Sequence, residues 1–491
     1  MSEFILFSAG GGRAGVLVSS VNGPKWGEAL MSSTSGRRIC GTILAEMSPT
    51  LALAGPVVLA ELGWMAMGVV DTVIVGGLGA EAIGAVGLGS IAFFTTAVFG
   101  MGLLLGLDTL VSQAFGAGDL DDCRRSLAQG VLLALAMTAP LMGVVLLAIP
   151  PLLAAMGVEP GVLRETLPYL RASSYGTLPL LIYAAFRRYL QAVGHVAPVM
   201  FALLSANLVN ALGVWALVYG RLGLPTLGIE GAGWATSFSR VYMAAVLIAV
   251  ALWHDRRSAG GPGFVANLRH YRPDAARLRR LVELGLPAAL QLTLEVGVFG
   301  AVTALAGRLD ASSLAAHQVV LQVSSVTFMI PLGLGSAGAV RVGRAIGRRD
   351  LASAARAGWA TLVLTAAFMI SAGVVITLVP RLIISGFTSD PAVAALAVPL
   401  LFVAAGFQLF DGVQGVTTGN LRGTGDTRVP MLCHALAFWA IGLPTAYALA
   451  FPLHLGVLGL WLGLSLGLGV AGCILLGVWI KKTHELTTSS V

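Results

Sequence analysis

Glu61, Asp71, Glu295 and Asp411 stand deep inside long apolar runs, and Asp108 stands near the end of another. A charge at mid-bilayer costs at least about 2.5–3.5 kcal/mol on insertion scales, so an acid kept in an apolar run needs a reason to be there. Gln291 lies one turn before Glu295, and Gln408 and Gln414 lie one turn to either side of Asp411, so both acids belong to polar helix faces. Deep in the runs, away from their ends, no Lys and only one arginine, Arg240, is available to neutralise them. Carboxylates of this kind lining a cavity suit a cation: a proton, Na⁺ or a cationic organic molecule. Glu61 and Asp71 are ten residues apart, which turns them about 80° from each other on an ideal helix. Pro56, just upstream, is expected to bend that helix.

Other polar residues in the runs carry weaker signals. Asn207 and Asn210 suit interhelical hydrogen bonds as well as a cavity wall, and Gln318 and Gln322 form a pair one turn apart. His317 and His434 read as satisfied structural histidines, and Asp108 as a cap or gate. The four cysteines, Cys40, Cys123, Cys433 and Cys473, show neither CxxC nor Cys/His metal spacing. No His/Asp, Ser/His or metal constellation gathers near one membrane face, and no Walker A pattern occurs, so the chain does not read as an enzyme or an ATP-driven pump. No cofactor is expected.

The elements that position these acids follow from composition. Of 491 residues, 57% are hydrophobic and only 11% charged, with a mean hydropathy of +0.87. A soluble domain carries about 25% charged residues. Water-soluble, disordered and coiled-coil classes are excluded, and the chain reads as a polytopic membrane protein. The apolar runs approach or exceed the roughly 20 residues of a spanning helix and do not alternate as barrel strands would. Twelve spans are predicted, near 50–76, 84–112, 128–150, 166–190, 197–219, 229–253, 282–306, 315–340, 357–380, 393–420, 430–451 and 456–480. With the N-terminus inside, 24 of the 30 Lys and Arg fall in inside segments and 5 in outside loops, which predicts both termini in the cytoplasm. The net charge of +7 is then a topology signal; no basic stretch is interleaved with aromatics as nucleic-acid binding would require.

The halves repeat at a constant offset of 231: Pro56 with Pro287, Gly102 with Gly333, Gly116 with Gly347, Asp119 with Asp350, Arg125 with Arg356. Leu190-x-x-x-Gly194 likewise matches Leu421-x-x-x-Gly425. Six spans per repeat insert both halves the same way up, as in parallel-repeat transporters. The fold class expected is therefore all-α: twelve transmembrane helices in two six-helix bundles related by a parallel internal repeat. The expected division is a disordered cytoplasmic tail over 1–46, an N-terminal lobe over 47–253, a basic cytoplasmic linker over 254–279, a C-terminal lobe over 280–482 and a short tail over 483–491.

On these residues the chain resembles the multidrug and toxic compound extrusion (MATE) family, in its bacterial drug–cation antiporter branch, over about residues 47–480. The motifs that carry the resemblance are Val70-Asp71-Thr72, Asp108-Thr109-x-x-x-Gln113-Ala114-x-Gly116, Leu294-Glu295-Val296, Ala316-His317-Gln318, Arg341-Val342-Gly343, Asp411-Gly412-Val413-Gln414 and Leu421-Arg422-Gly423-x-Gly425-Asp426. The resemblance implies two lobes in a V. It implies a carboxylate cation site at Glu295 and Asp411, which would be metal ligands if the ion is Na⁺. It further implies that Asp71 is the protonatable or substrate-linked acid of the first lobe, with Asn210 beside it. Gln291, Gln318, Gln322, Gln408 and Gln414 are candidate cavity residues. Two positions depart from the family pattern: Val214 replaces a polar residue one turn after Asn210, and Glu61 has no counterpart. The function so implied is export of cationic amphipathic drugs or dyes in exchange for Na⁺ or H⁺ by a monomer in the bacterial inner membrane. The alternative is a lipid-linked oligosaccharide flippase of related fold, for which Arg240 is the one basic residue within the runs.

Overall fold

A computed structural model describes residues 35–155, 157–158, 160–258 and 272–488. Long helices dominate, because in hydrocarbon only a helix satisfies its own backbone over an isolated run. Eleven are long and apolar enough to cross a membrane: Ala45–Leu78, Glu81–Gly116, Leu120–Ala155, Ala197–Tyr219, Gly228–Asp255, Ala275–Gly307, Ala311–Gly347, Leu351–Leu378, Pro391–Thr424, Arg428–Ala450 and Gly456–Thr488. The predicted fourth span is built differently. Its two shorter helices, Pro160–Ser174 and Thr177–Ala192, meet at Tyr175–Gly176, where the Arg240 and Ser237 side chains crowd against the glycine. Counting this broken crossing in chain order gives spans 1 to 12.

Several boundaries lie outside the sequence expectation for one reason: hydropathy detects only the lipid-facing part of a helix. The helix of span 1 starts at Ser35, so residues 35–46 are helical rather than tail, and residues 1–34 lie outside the described residues. Span 6 continues to Ser258 and span 7 begins at Ala275, leaving 259–271 of the expected linker outside the described residues. Span 12 runs on to Thr488 through turns held by a Lys482–Glu485 pair, so most of the expected C-terminal tail is helix.

Two main apolar cores divide the chain. One gathers Leu104, Leu107, Leu127, Leu180, Leu181 and Tyr183; the other gathers Phe438, Trp461, Leu468 and Trp479. They interlock at the seam, since Leu281 and Ala289 of span 7 join the first core and Ala54 of span 1 joins the second.

The seam follows the repeat. A Cβ on Gly102 would overlap the backbone of Ala289, and one on Gly333 would overlap the backbone of Val58. Likewise Gly116 abuts the Arg344 carbonyl and Gly347 abuts that of Gln113. Each of these pairs turns into its mate when every residue is shifted by 231, so a two-fold axis relates them. The polar contacts obey the same rule. Arg344 Nε donates to the Ala192 carbonyl at 2.9 Å, and its counterpart Gln113 donates to the Gly423 carbonyl at 3.0 Å. Glycine is required here because two helix backbones touch. These contacts lie towards the end of the molecule that carries the basic loops, where the lobes are drawn together.

Turns at that end are also duplicated. Asp119 and Asp350 cap the helices of spans 3 and 9 by accepting from Asp122 N at 2.8 Å and Ser353 N at 2.9 Å. Each follows a left-handed residue, Gly118 at φ 79° and Arg349 at φ 60°.

Candidate functional site

In the second lobe, span 7 brings Glu295 to face Asp411 of span 10. Gln414 Nε2 joins them, donating to Glu295 Oε1 at 3.1 Å and to Asp411 Oδ1 at 3.3 Å. Gln291 Nε2 donates to the other Glu295 oxygen at 2.9 Å, from one turn earlier on the same helix. The Gln414 carbonyl oxygen is 2.8 Å from His434 Nε2, and His434 Nδ1 is 2.7 Å from the Pro430 carbonyl. His434 Nε2 is also 3.8 Å from Glu295 Oε2. Asp411, Gln414 and His434 are buried, while Glu295 is partly accessible. Both ring nitrogens of His434 face oxygens, the Pro430 carbonyl and the side-chain amide oxygen of Gln414, so the ring is anchored behind the acids. Sequence reasoning treated His434 as structural. It lies just before the π-helical segment Ala435–Gly442 of span 11, and no spacing connects it to Glu295.

Gln408 does not join this cluster. It donates to Thr327 of span 8 at 2.8 Å. Gln318 is exposed and Gln322 partly so, and the hydrogen bonds described connect neither to the acids. His317 is a satisfied structural histidine, as expected. Trp461 Nε1 donates to its Nδ1 at 3.1 Å, which leaves the proton on Nε2, 2.9 Å from Thr303 Oγ1.

In the first lobe, Asp71 of span 1 accepts from Asn210 of span 5 and, at 3.4 Å, from Thr236 of span 6. Ser239 Oγ donates to Asn210 Oδ1 at 3.1 Å and fixes the amide so that its NH₂ faces the acid. Val214 is fully buried in an apolar cluster with Val75, Val218 and Ala235, so that position contributes packing rather than a ligand. Arg240 is spent elsewhere: it donates to the Ser173 carbonyl at 3.0 Å and lies 4.1 Å over the Phe93 ring.

Two acids read as unneutralised have partners. Glu61 pairs with Arg187 of span 4, and both are buried. Asp108, fully buried, lies 3.1 Å from Arg422 Nε and 3.6 Å from Arg188 Nη1. Arg187 and Arg188 stand at the end of the predicted span 166–190, beside the turn to span 5, and the charge count takes them as inside-loop residues. That turn is only Val193–Val196, and both arginines project from the last turns of Thr177–Ala192 into the protein. Asp108 and Arg422 belong to different lobes, so this pair bridges the seam. It also breaks the repeat, since the residue 231 after Asp108 is Ala339 and the residue 231 before Arg422 is Gln191. Among the described residues no group of three or more His, Cys, Asp or Glu could hold a metal ion. A cation at Glu295 and Asp411 would meet two carboxylates, with amide oxygens of Gln291 and Gln414 brought in by rotation.

The family model described as MatE matches residues 56–216 and 287–448. The chain belongs to the MatE family. The family model fits twice, once per lobe, and its two starts are Pro56 and Pro287, the proline pair of the repeat. Relatives include the "Probable multidrug resistance protein NorM" of Mesorhizobium japonicum, 38% identical over 448 residues, covering 89% of this chain and 94% of that protein. The protein of the same name from Bradyrhizobium diazoefficiens is 38% identical over 436 residues, covering 88% and 92%. Among solved structures, the eukaryotic MATE transporter AtDTX14 superposes with a TM-score of 0.80 at 21% identity, covering 92% of this chain and all of that one. An outward-facing multidrug resistance MATE transporter of the MOP superfamily gives 0.81 at 19% identity, covering 90% and 97%. The twelve-helix, two-lobe MATE fold is thus shared.

Proposed function

We propose that this protein is a secondary antiporter of the bacterial inner membrane that exports cationic amphipathic compounds in exchange for Na⁺ or H⁺. The observation that carries the reading is the Glu295–Gln414–Asp411 unit, in which one amide nitrogen serves two carboxylates. When the inward-moving cation reaches this pair, it offsets one of the two negative charges and competes with the amide nitrogen for the carboxylate oxygens. When the cation leaves, the pair again carries both charges. A carboxylate that serves ion or drug, but not both, couples the two binding equilibria. The kinship with relatives named for multidrug resistance supports the substrate class. Asp71, held by Asn210 and Thr236, is a second acid that can titrate or meet the drug.

Alternating access fits the placement of the contacts. The lobes are joined by close-packed glycines and the Asp108–Arg422 pair towards the basic-loop end, which the charge bias places in the cytoplasm. Opening would break those contacts and rock one lobe against the other.

The test is ethidium efflux from proteoliposomes under separately imposed Na⁺ and proton gradients. One of the two gradients is expected to drive the dye; failure of both with several cationic dyes would remove the antiporter reading.

A further inference from the structure

Where span 1, the turn after span 4 and the junction of spans 8 and 9 converge, a cavity of about 440 Å³ opens at the seam. Its charged lining is Arg341, Arg344 and Arg348 against the single acid Glu46. The rest is mostly apolar, including Leu53, Val196 and Ala357, with Ser353 at one side. Arg341 ties itself to Glu46 and to Thr50 of span 1, so the acid is already matched. Nearby Asp350 is engaged by the N–H and hydroxyl of Ser353, at 2.9 and 2.5 Å. Three arginines against two acids, Glu46 in the wall and Asp350 beside Arg348, leave one positive charge in excess at the cavity.

Closing the seam does not require that charge. The residues 231 before the three arginines are Leu110, Gln113 and Ala117. Gln113 makes the same cross-lobe bond as Arg344, with no charge. The arginines are therefore an addition to one side of a two-fold seam. A basic cleft between transmembrane helices, with apolar walls and at the end that carries the basic loops, has the chemistry that recognises phosphate headgroups. Arginine suits it because its planar fork binds phosphate oxygens in pairs.

We propose that this cavity is a binding site for a phosphate-bearing anion, its apolar walls suiting the headgroup and upper chains of an anionic phospholipid. Because Arg341 and Arg344 reach across to the other lobe, occupancy stabilises the closed basic-loop end.

The experiment measures retention of phosphatidylglycerol by the delipidated, full-length protein in detergent, by native mass spectrometry. Phosphatidylcholine serves as the comparison lipid and inorganic phosphate as the competitor. Wild type should retain phosphatidylglycerol over phosphatidylcholine. Arg348→Gln, a substitution at an exposed position, should weaken retention roughly fivefold, the equivalent of about 1 kcal/mol per surface charge. Arg348→Lys should restore most of it, and Arg308→Gln at the opposite end should change nothing. Displacement of the lipid by millimolar phosphate would assign the same site to a soluble phosphate anion. Equal retention of the two lipids by wild type, or retention of phosphatidylglycerol at the wild-type level by the Arg344→Gln/Arg348→Gln double variant, would overturn the proposal.

Discussion

The two lobes share a scaffold and differ in what they bury. Glycines, helix caps and cross-lobe bonds recur at an offset of 231, but the acids do not. The positions 231 residues from Asp71, Glu295 and Asp411 are Val302, Trp64 and Leu180. In the first lobe one carboxylate is held by an asparagine and a threonine, while a second, Glu61, is matched to arginine. In the second lobe two carboxylates share one glutamine, with a histidine behind it. Duplication thus supplied a seam with two equivalent halves, and the buried acids differ from one half to the other. Two carboxylates close together attract a cation more strongly than one alone.

The largest effect expected outside the site is at Glu61–Arg187. Replacing Arg187 by Met leaves a buried carboxylate without its partner, at a cost of about 3–5 kcal/mol. The variant should melt well below wild type in detergent, and adding Glu61→Gln should recover most of the loss. A single variant as stable as wild type would mean that Glu61 is not held as an ion pair, and would make it a second candidate acid of the first lobe.

Next comes the two-fold seam. Alanine at Gly347 or Gly116 should prevent close approach of the lobes and cost about 1–3 kcal/mol in the closed state. Spin labels on the two lobes at the basic-loop end should report a longer distance in both variants. Gly406→Ala, where a Cβ would meet nothing within 4 Å, should leave the distance unchanged. Unequal responses at Gly116 and Gly347 would show that the seam is less symmetric than its contacts.

The smallest effects belong to the duplicated turns. Asp350→Ala should cost about 1 kcal/mol through loss of the cap. Arg349→Gly should stabilise by up to about 1 kcal/mol, because its left-handed backbone at φ 60° suits glycine, as at Gly118. Thermal unfolding of both variants checks the pair, and equal melting points would deny the turn its role.

Much of this was legible in the residues. Long apolar runs revealed the crossings, and a constant offset carried through loops revealed the repeat, because neither depends on tertiary context. The facing of Glu295 by Gln291 was visible as helical spacing. The partners of Glu61 and Asp108 were not. Arg187 is 126 residues from Glu61, and hydropathy counts an arginine near a helix end as loop. Gln318 and Gln322 show a different limit, since an i,i+4 polar pair does not disclose which way its helix face is turned. The contact of His434 with the side-chain amide oxygen of Gln414 was not visible either, since only the fold brings the two together.

The most direct test of the carboxylate pair is to compare Asp411→Asn with Asp71→Asn in proteoliposomes under the driving ion gradient. Both proteins should first be shown to be folded and monodisperse. Asp411→Asn is expected to abolish gradient-driven dye efflux, and Asp71→Asn to reduce it while keeping its dependence on the gradient. Near-normal coupled efflux by Asp411→Asn would contradict the assignment of the coupling site to Glu295 and Asp411.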